Sequence, residues 1–269
     1  MNRLETTDRQ SLSWPRKFSW VAVSIFLTLL VCTALFGPGA ITGHRILAPL
    51  DIPPALFTHY RYIHTGHSGV PENHYIIDGI FQDLPSQWFL YQSLRAGEIP
   101  WWTPYDWGGR PFLADSHVNG LDPIRLLCFF TLPFEQAYNW TILLHTIIGS
   151  LGMTCLLRTF GFGKASALVG GVLFAFSGAF AIYFCHPFVL GTFAWYPWIW
   201  VLFDKSHKEN KQGIRAAAML ALPCAAALYG ANLQGSAYLP LFLLALGIGY
   251  KGIAGKITLT FAFFLAVIL

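Results

Sequence analysis

DGIFQDLPSQWFLYQSLRAGEIPWWTPYDWGGRPFLADSHVNGLDPIR, Asp78 to Arg125, is the stretch on which the reading of this chain turns. It is the most polar part of an otherwise apolar sequence. It stands between the first hydrophobic run and all the later ones. It holds most of the residues able to do chemistry: Asp78, Asp83, Gln87, Arg95, Asp106, Arg110, Asp115, His117 and Asp122. The expectation is a scaffold of helices in lipid, with this segment lying over it as the working surface.

Composition supports that expectation. Apolar residues make up 55% of the chain and charged residues only 11%, with a mean hydropathy of +0.50. Soluble domains carry about a quarter charged residues, so the shortage fits a surface that faces lipid. Aromatic residues reach 16%, ten of them Trp, a residue that favours the membrane–water interface. The net charge of +4 is small and dispersed, which argues against nucleic acid as a partner. The cysteines, Cys32, Cys128, Cys155, Cys185 and Cys224, form no CxxC pair, so zinc and redox motifs are not indicated. Cys128 and Cys185 could share an outer face, but proximity is not readable from spacing.

Residues 1–17 read as a polar cytoplasmic tail, and 18–36 as a retained first transmembrane helix, long enough to cross a bilayer. Gly37-Pro38-Gly39 ends it. Residues 37–136 contain no spanning run and read as an extracytoplasmic loop. His59, His64, His67 and His74 within it match no compact ligand spacing and read as solvated. A short amphipathic helix is expected from Leu84 to Ala96, with Leu84, Trp88, Tyr91 and Leu94 on one face. Asp83 is placed to cap it, Pro85 suits its first turn and Gly97 its stop. The Pro- and Gly-punctuated EIPWWTPYDWGGRP is a turn. Asp122-Pro123 then starts a second short helix, Ile124 to Leu132, expected in the membrane surface.

From 137 to 269 the chain reads as a multi-helix transmembrane region. The expected spans are Tyr138–Leu157, Ala165–Phe184, Phe188–Phe203, Ile214–Tyr229, Ser236–Tyr250 and a last run from Ile257 that breaks off at Leu269. The chain is therefore expected to be the N-terminal part of a longer protein. Placing the N-terminus in the cytoplasm puts twelve of the seventeen Lys and Arg inside. They are Arg3, Arg9, Arg16, Lys17, Arg158, Lys164, Lys205, Lys208, Lys211, Arg215, Lys251 and Lys256. The long loop outside takes nine of the thirteen acids. The opposite topology would put every basic short loop on the wrong side.

An acidic loop on the outer face has no access to cytoplasmic nucleotides, and neither GxxxxGK[ST] nor GxGxxG is present. Chemistry there must draw on a substrate activated in the membrane. Sugar transfer from a lipid phosphate needs a carboxylate, positive groups for the departing phosphate, and surfaces for a sugar. Asp83 and Asp78 are candidate carboxylates. Arg95 and Arg110 are candidate phosphate contacts, since a guanidinium can bind phosphate oxygens in a bidentate way. Trp102, with Trp88, Trp101, Tyr105 and Trp107, could stack on sugars. His186, Asn232 and Gln234 fall at the outer ends of later spans. By residue type alone each also has a plainer role: Asp83 a cap, Asp106 and Asp115 turn formers, the tryptophans interfacial anchors. His145 reads as glue between helices.

The order Asp83…Gln87, then LRAGEIPWWTPYDWGGRPFLAD, resembles the G-x-x-P-x-W-n-P-y-x-x-G-x-P-x-x-A run of bacterial YfhO-like integral membrane proteins. The later HPFVLGTFAWYPWIWVLFDK and GANLQGSAYLPLFLL resemble segments of the same family. Cys185 stands where the family has a small residue before His186, and Leu233 where it has proline. The resemblance covers roughly residues 75 to 250. It implies an all-α polytopic fold of GT-C type in the bacterial cytoplasmic (inner) membrane. It also implies transfer of sugar from a polyprenyl-phosphate-linked donor to an envelope glycan or lipid acceptor. On that basis Asp83 is the loop acid and Asp78 its helper, with Gln87, Arg95, Trp102, Arg110, Asp115, His117, His186 and Gln234 around the substrate. A divalent metal (Mg or Mn) is one implied option. The absence of Asp-Asp and Asp-x-Asp in the loop leaves a single carboxylate base as the other.

Overall fold

The computed structural model describes residues 14–48, 78–106, 108–115, 117–208, 214–230 and 233–249. The expected histidine-rich loop (His59, His64, His67, His74) lies outside the described residues. So do Arg3, Arg9, Trp107, Lys211, Asn232, Lys251, Lys256 and the run from Ile257.

The described chain is mostly helical. Helix α1 spans Trp14–Phe36 and stops at Gly37, whose φ of 77° no β-branched or bulky residue would adopt readily. Pro38 opens the short α2, Pro38–Thr42. The polar segment contributes a π-helical turn, Gly79–Asp83, running straight into α3, Leu84–Arg95. A minimal antiparallel ladder follows, β1 (Trp102–Thr103) on β2 (Arg110–Pro111), with Trp102 opposite Pro111. Then come α4 (Pro123–Thr131) and α5 (Phe134–Thr159). Next are α6 (Lys164–Ala175), α7 (Gly178–Ala181) and a 3₁₀ turn, Ile182–Cys185. The last three described helices are α8 (Pro187–Lys208), α9 (Ile214–Tyr229) and α10 (Leu233–Gly249).

Helix α5 is the hub: α1, α4, α6 and α8 all pack on it. Among the described residues it is the one helix both long and apolar enough to cross a membrane; the other apolar helical stretches are shorter. The expected span Ala165–Phe184 is broken. Helix α6 ends at Ala175, Ser177 is extended, and its hydroxyl donates to Phe174 O at 2.9 Å. A serine followed by glycine can satisfy the helix end locally, so the apolar run is interrupted despite its composition.

Large apolar side chains face outward on several helices: Phe26 and Leu30 on α1, Leu173 on α6, Leu222 on α9, Leu241 and Ile248 on α10. Polar contacts between elements help to hold the bundle. Thr28 donates to Ser150 Oγ (2.9 Å) between α1 and α5. Asn139 of α5 binds the chain after α2, donating to Ala40 O (2.8 Å) and Arg45 O (2.7 Å) and accepting from Leu47 N (2.8 Å). That asparagine, fully buried with its amide satisfied on both sides, fixes where the segment after the first helix can go.

Helices α8 and α9 approach backbone to backbone at Gly191 and Gly230. A Cβ on Gly191 would sit 2.6 Å from Gly230 O and 2.9 Å from its Cα. Neither atom can swing away. Gly191→Ala is therefore expected to push the two helices apart and to cost about 1–3 kcal/mol. Thermal unfolding of the purified intact protein checks this; an unchanged midpoint would mean that the close approach contributes nothing.

Candidate functional site

The site is built where the polar segment meets the ends of α5, α8 and α9. Asp83 was expected to cap α3. It does not: its backbone is helical (φ −69°, ψ −54°) and its side chain makes no capping bond. The helix begins earlier, through the π turn, and Leu84 N already donates to Gly79 O. With those amides satisfied, the carboxylate is left to other work. π-Helical turns recur at functional sites because they re-aim one side chain.

Asp83 is 1% exposed, and its Oδ2 accepts from His186 Nδ1 at 3.0 Å. Its Oδ1 meets no donor among the described residues. His186 precedes α8 and is the partly exposed member of the pair, at 17%. Burial pushes the Asp83 carboxyl above its ordinary range. The hydrogen bond and charge of His186, with His117 and Arg125 nearby, oppose that rise without cancelling it.

A second acid–histidine pair lies deeper. Asp122 caps α4 as expected, Oδ1 accepting from Ile124 N at 3.0 Å. Its Oδ2 faces His145 Nε2 of α5 at 3.4 Å. His145 Nδ1 donates to Thr141 O at 2.7 Å, so Nε2 meets the carboxylate as a cation when the ring carries both protons. Burial pushes Asp122 up, but His145 and Arg125 outweigh it and hold the carboxyl below its usual value. Arg125, 1% exposed, is near enough to both acids to feel their charge, Asp122 more than Asp83. Its Nη1 donates to Val118 O (2.6 Å) and Asn119 O (3.2 Å), while Nη2 has no hydrogen-bond partner among the described residues. Burial lowers its pKa, opposed chiefly by Asp122.

The loop 117–122 ties these parts together. Gln87 Nε2 donates to Val118 O (2.9 Å), and Asn119, in the left-handed region at φ 48°, donates through Nδ2 to Gly230 O (3.0 Å). Of the residues singled out from sequence, Asp83, Gln87, His117 and His186 thus fall in one polar cluster, with Asp83 and Gln87 buried. Asp78, Arg110 and Asp115 do not. They line a cleft of about 890 Å³ on the other side of α3. Arg110 binds Asp115 and, at 3.1 Å, Asp106. Burial opposes its charged form, but the two carboxylates outweigh it and raise its pKa. Asp115 Oδ1 also accepts from His117 N (2.9 Å), linking cleft to cluster.

Arg95 is exposed and closes the end of α4, donating to Phe130 O (3.2 Å) and Leu132 O (3.3 Å). Trp102 is 55% exposed and lies against Gly109, leaving no room there for a Cβ. Gln234 falls in the first turn of α10. Cys128 is a free, buried thiol, so it forms no disulfide with Cys185. Sequence reasoning gave Arg125 no role and read His145 only as glue. The available signal was spacing: Asp122 and Arg125 stand three apart on one face of α4, and Tyr138, Thr141 and His145 recur along one face of α5.

Among the described residues no three His, Cys, Asp or Glu side chains are grouped to hold a metal ion. Among the described residues the donor set at Asp83 is one carboxylate and one imidazole already bonded to it, which does not fit Mg or Mn, ions that prefer several oxygen ligands. Compared with known proteins, the chain matches no family model, no curated protein and no solved structure.

Proposed function

We propose that the chain is a polytopic membrane glycosyltransferase of GT-C type, similar to the YfhO-like proteins. It would work in the bacterial cytoplasmic membrane with its N-terminus inside. It transfers a sugar from a polyprenyl-phosphate-linked donor to an envelope acceptor on the outer side. The observation that carries this reading is the Asp83–His186 contact: a buried acid of the polar segment meets, at 3.0 Å, a histidine that opens a later helix. The outward apolar side chains of α1, α6, α9 and α10 support a lipid surround. So does the separation of ends. The acid cluster sits at the start of α8, while Lys208 at its finish donates to Thr159 O of α5 (3.3 Å), beside the other basic turn.

The acceptor hydroxyl oxygen attacks the anomeric carbon of the donor sugar. The bond from that carbon to the phosphate oxygen breaks, and the electron pair leaves with the phosphate. The hydroxyl proton passes to the Asp83–His186 pair, whose carboxyl is held above its ordinary range by burial and so is a better base than a solvated aspartate. Arg125, not Arg95 or Arg110, is the guanidinium beside Asp83, and it supplies the positive charge there. The test uses the intact gene in a deletion strain, comparing envelope glycans by mass spectrometry for wild type, Asp83→Asn and His186→Gln at matched membrane abundance. A sugar that appears with wild type and with neither variant supports the reading; restoration by both overturns it.

A lipid-carrier or polysaccharide transporter is the second reading, favoured by His145, an ionisable side chain buried within the apolar helix α5 opposite Asp122, since intramembrane ionisable groups mark transport pathways. It predicts that His145→Gln abolishes substrate movement into vesicles while Asp83→Asn leaves it intact.

A further inference from the structure

The cleft on the far side of α3 is distinct from the Asp83–His186 cluster, and its lining has a definite chemistry. Ser86 and Ser93 lie on that side of α3, on one helical stripe about two turns apart, and are only 8% and 9% exposed. A serine inside a helix ordinarily donates back to the carbonyl four residues earlier. Neither does so here, and neither hydroxyl has a hydrogen-bond partner among the described residues. Both open into the cleft instead. Tyr105 and Trp88 add exposed aromatic surface at 79% and 45%. Phe89 packs edge-on against both Tyr105 (5.6 Å) and Phe112 (4.8 Å), which stiffens that wall.

The charge of the lining is one-sided. Asp78, Glu98, Asp106 and Asp115 face it, against Arg110 alone, and Arg110 is already shared between Asp106 and Asp115. A volume of about 890 Å³ lies within the roughly 300–1,000 Å³ of ligand sites. Hydroxyls that both donate and accept pair naturally with sugar hydroxyls, and aromatic faces cover the apolar C–H faces of sugar rings. The negative field excludes phosphate- or carboxylate-bearing chains and favours amines.

We propose that this cleft binds a saccharide chain that is uncharged or carries amino groups, with amino sugars held more tightly. Binding stands on the cleft alone; that the bound chain is the acceptor of the transfer rests on the reading above. The experiment titrates the intact purified protein with three probes of equal length: a glucosamine hexamer, its fully N-acetylated form and a galacturonate hexamer. Isothermal calorimetry is run at low and at moderate salt. Both glucosamine-based probes are expected to bind, the amine form more tightly at low salt, and the galacturonate hexamer not at all. Tyr105→Ala, at an exposed position, and Ser86→Ala with Ser93→Ala, a minimal change, are each expected to weaken both by about tenfold. Galacturonate binding of equal strength overturns the proposal. So does binding of the amine form alone that ignores Tyr105→Ala and vanishes with salt. Binding is read without turnover. Intact binding with no glycan change in the deletion strain therefore removes the transferase reading only, and absent binding with normal glycan transfer removes this proposal only.

Discussion

Arg125→Met is expected to cost about 3–5 kcal/mol of folding stability, the penalty for stripping one partner from a buried charge network. The side chain is 1% exposed and its Nη1 holds the carbonyls of Val118 and Asn119, so it fixes the 117–122 loop against α4. Methionine fills much of the volume but donates nothing. It leaves Val118 O with Gln87 as its remaining side-chain donor, and Asp122 Oδ2 facing His145 alone. Arg125→Lys keeps the charge but not the planar fork, and falls between the two.

The pH dependence gives a sharper signature. In the wild type Asp122 titrates below its ordinary 3.8, so its contribution to stability is present above that value and is lost as pH falls through the folded pKa. Without Arg125 the balance tips toward burial and the Asp122 carboxyl rises. The variant should therefore lie furthest from wild type at neutral pH and draw steadily closer as the pH falls toward and below the ordinary 3.8 of an aspartate. Denaturant or thermal unfolding across that range checks this. A loss under about 1 kcal/mol at neutral pH would mean that the guanidinium is not a keystone of the cluster.

What could be read from the sequence was what depends on neighbours in the chain. Asp122-Pro123 as a cap and first turn, Gly97 as a stop, and α9 at Ile214–Tyr229 all stand as expected, because each is local chemistry. Asp83 did not, because whether it caps depends on where the helix begins, and the π turn moves that start back to Asp78 and Gly79. On α3, Trp88 and Tyr91 share a face as expected, their rings stacked at 5.9 Å. Trp88 is 45% exposed while Gln87 and Leu90 are buried; hydrophobicity points tryptophan inward, but Gln87 has a carbonyl to reach on the 117–122 loop. The resemblance put Asp83 and His186 in one site, but their direct contact was not legible, nor was the Asp122–His145 pair. Asp83 and His186 stand 103 residues apart, and no spacing rule spans that distance. Membership of the polar segment marked Asp83 as a candidate; only tertiary packing separates it from Asp78 and Asp115, which fall on the other side of α3.

Asp83→Asn separates catalysis from stability, and the two are expected to move in different directions. The Asp83 carboxyl is raised by burial, against the pull of His186. A raised folded pKa means that the favourable contribution is fully present below 3.8, the ordinary value, and is lost as pH rises through the folded pKa. At neutral pH the ionised side chain is therefore a burden on the fold. Asparagine removes the charge, keeps an oxygen to accept from His186 Nδ1, and leaves the helix intact, since no cap is lost. The variant should melt no lower than wild type at neutral pH, and any advantage should shrink as the pH is lowered and Asp83 protonates. Sugar transfer should nevertheless drop by about 10²–10⁴-fold, the range for removing a positioned general base. A clear fall in melting temperature would recast Asp83–His186 as a structural ion pair. Full transfer by a stable Asp83→Asn protein would remove the carboxylate from the chemistry altogether. Stability retained with transfer lost is the pattern of a residue kept for what it does to substrate, at the expense of the fold around it.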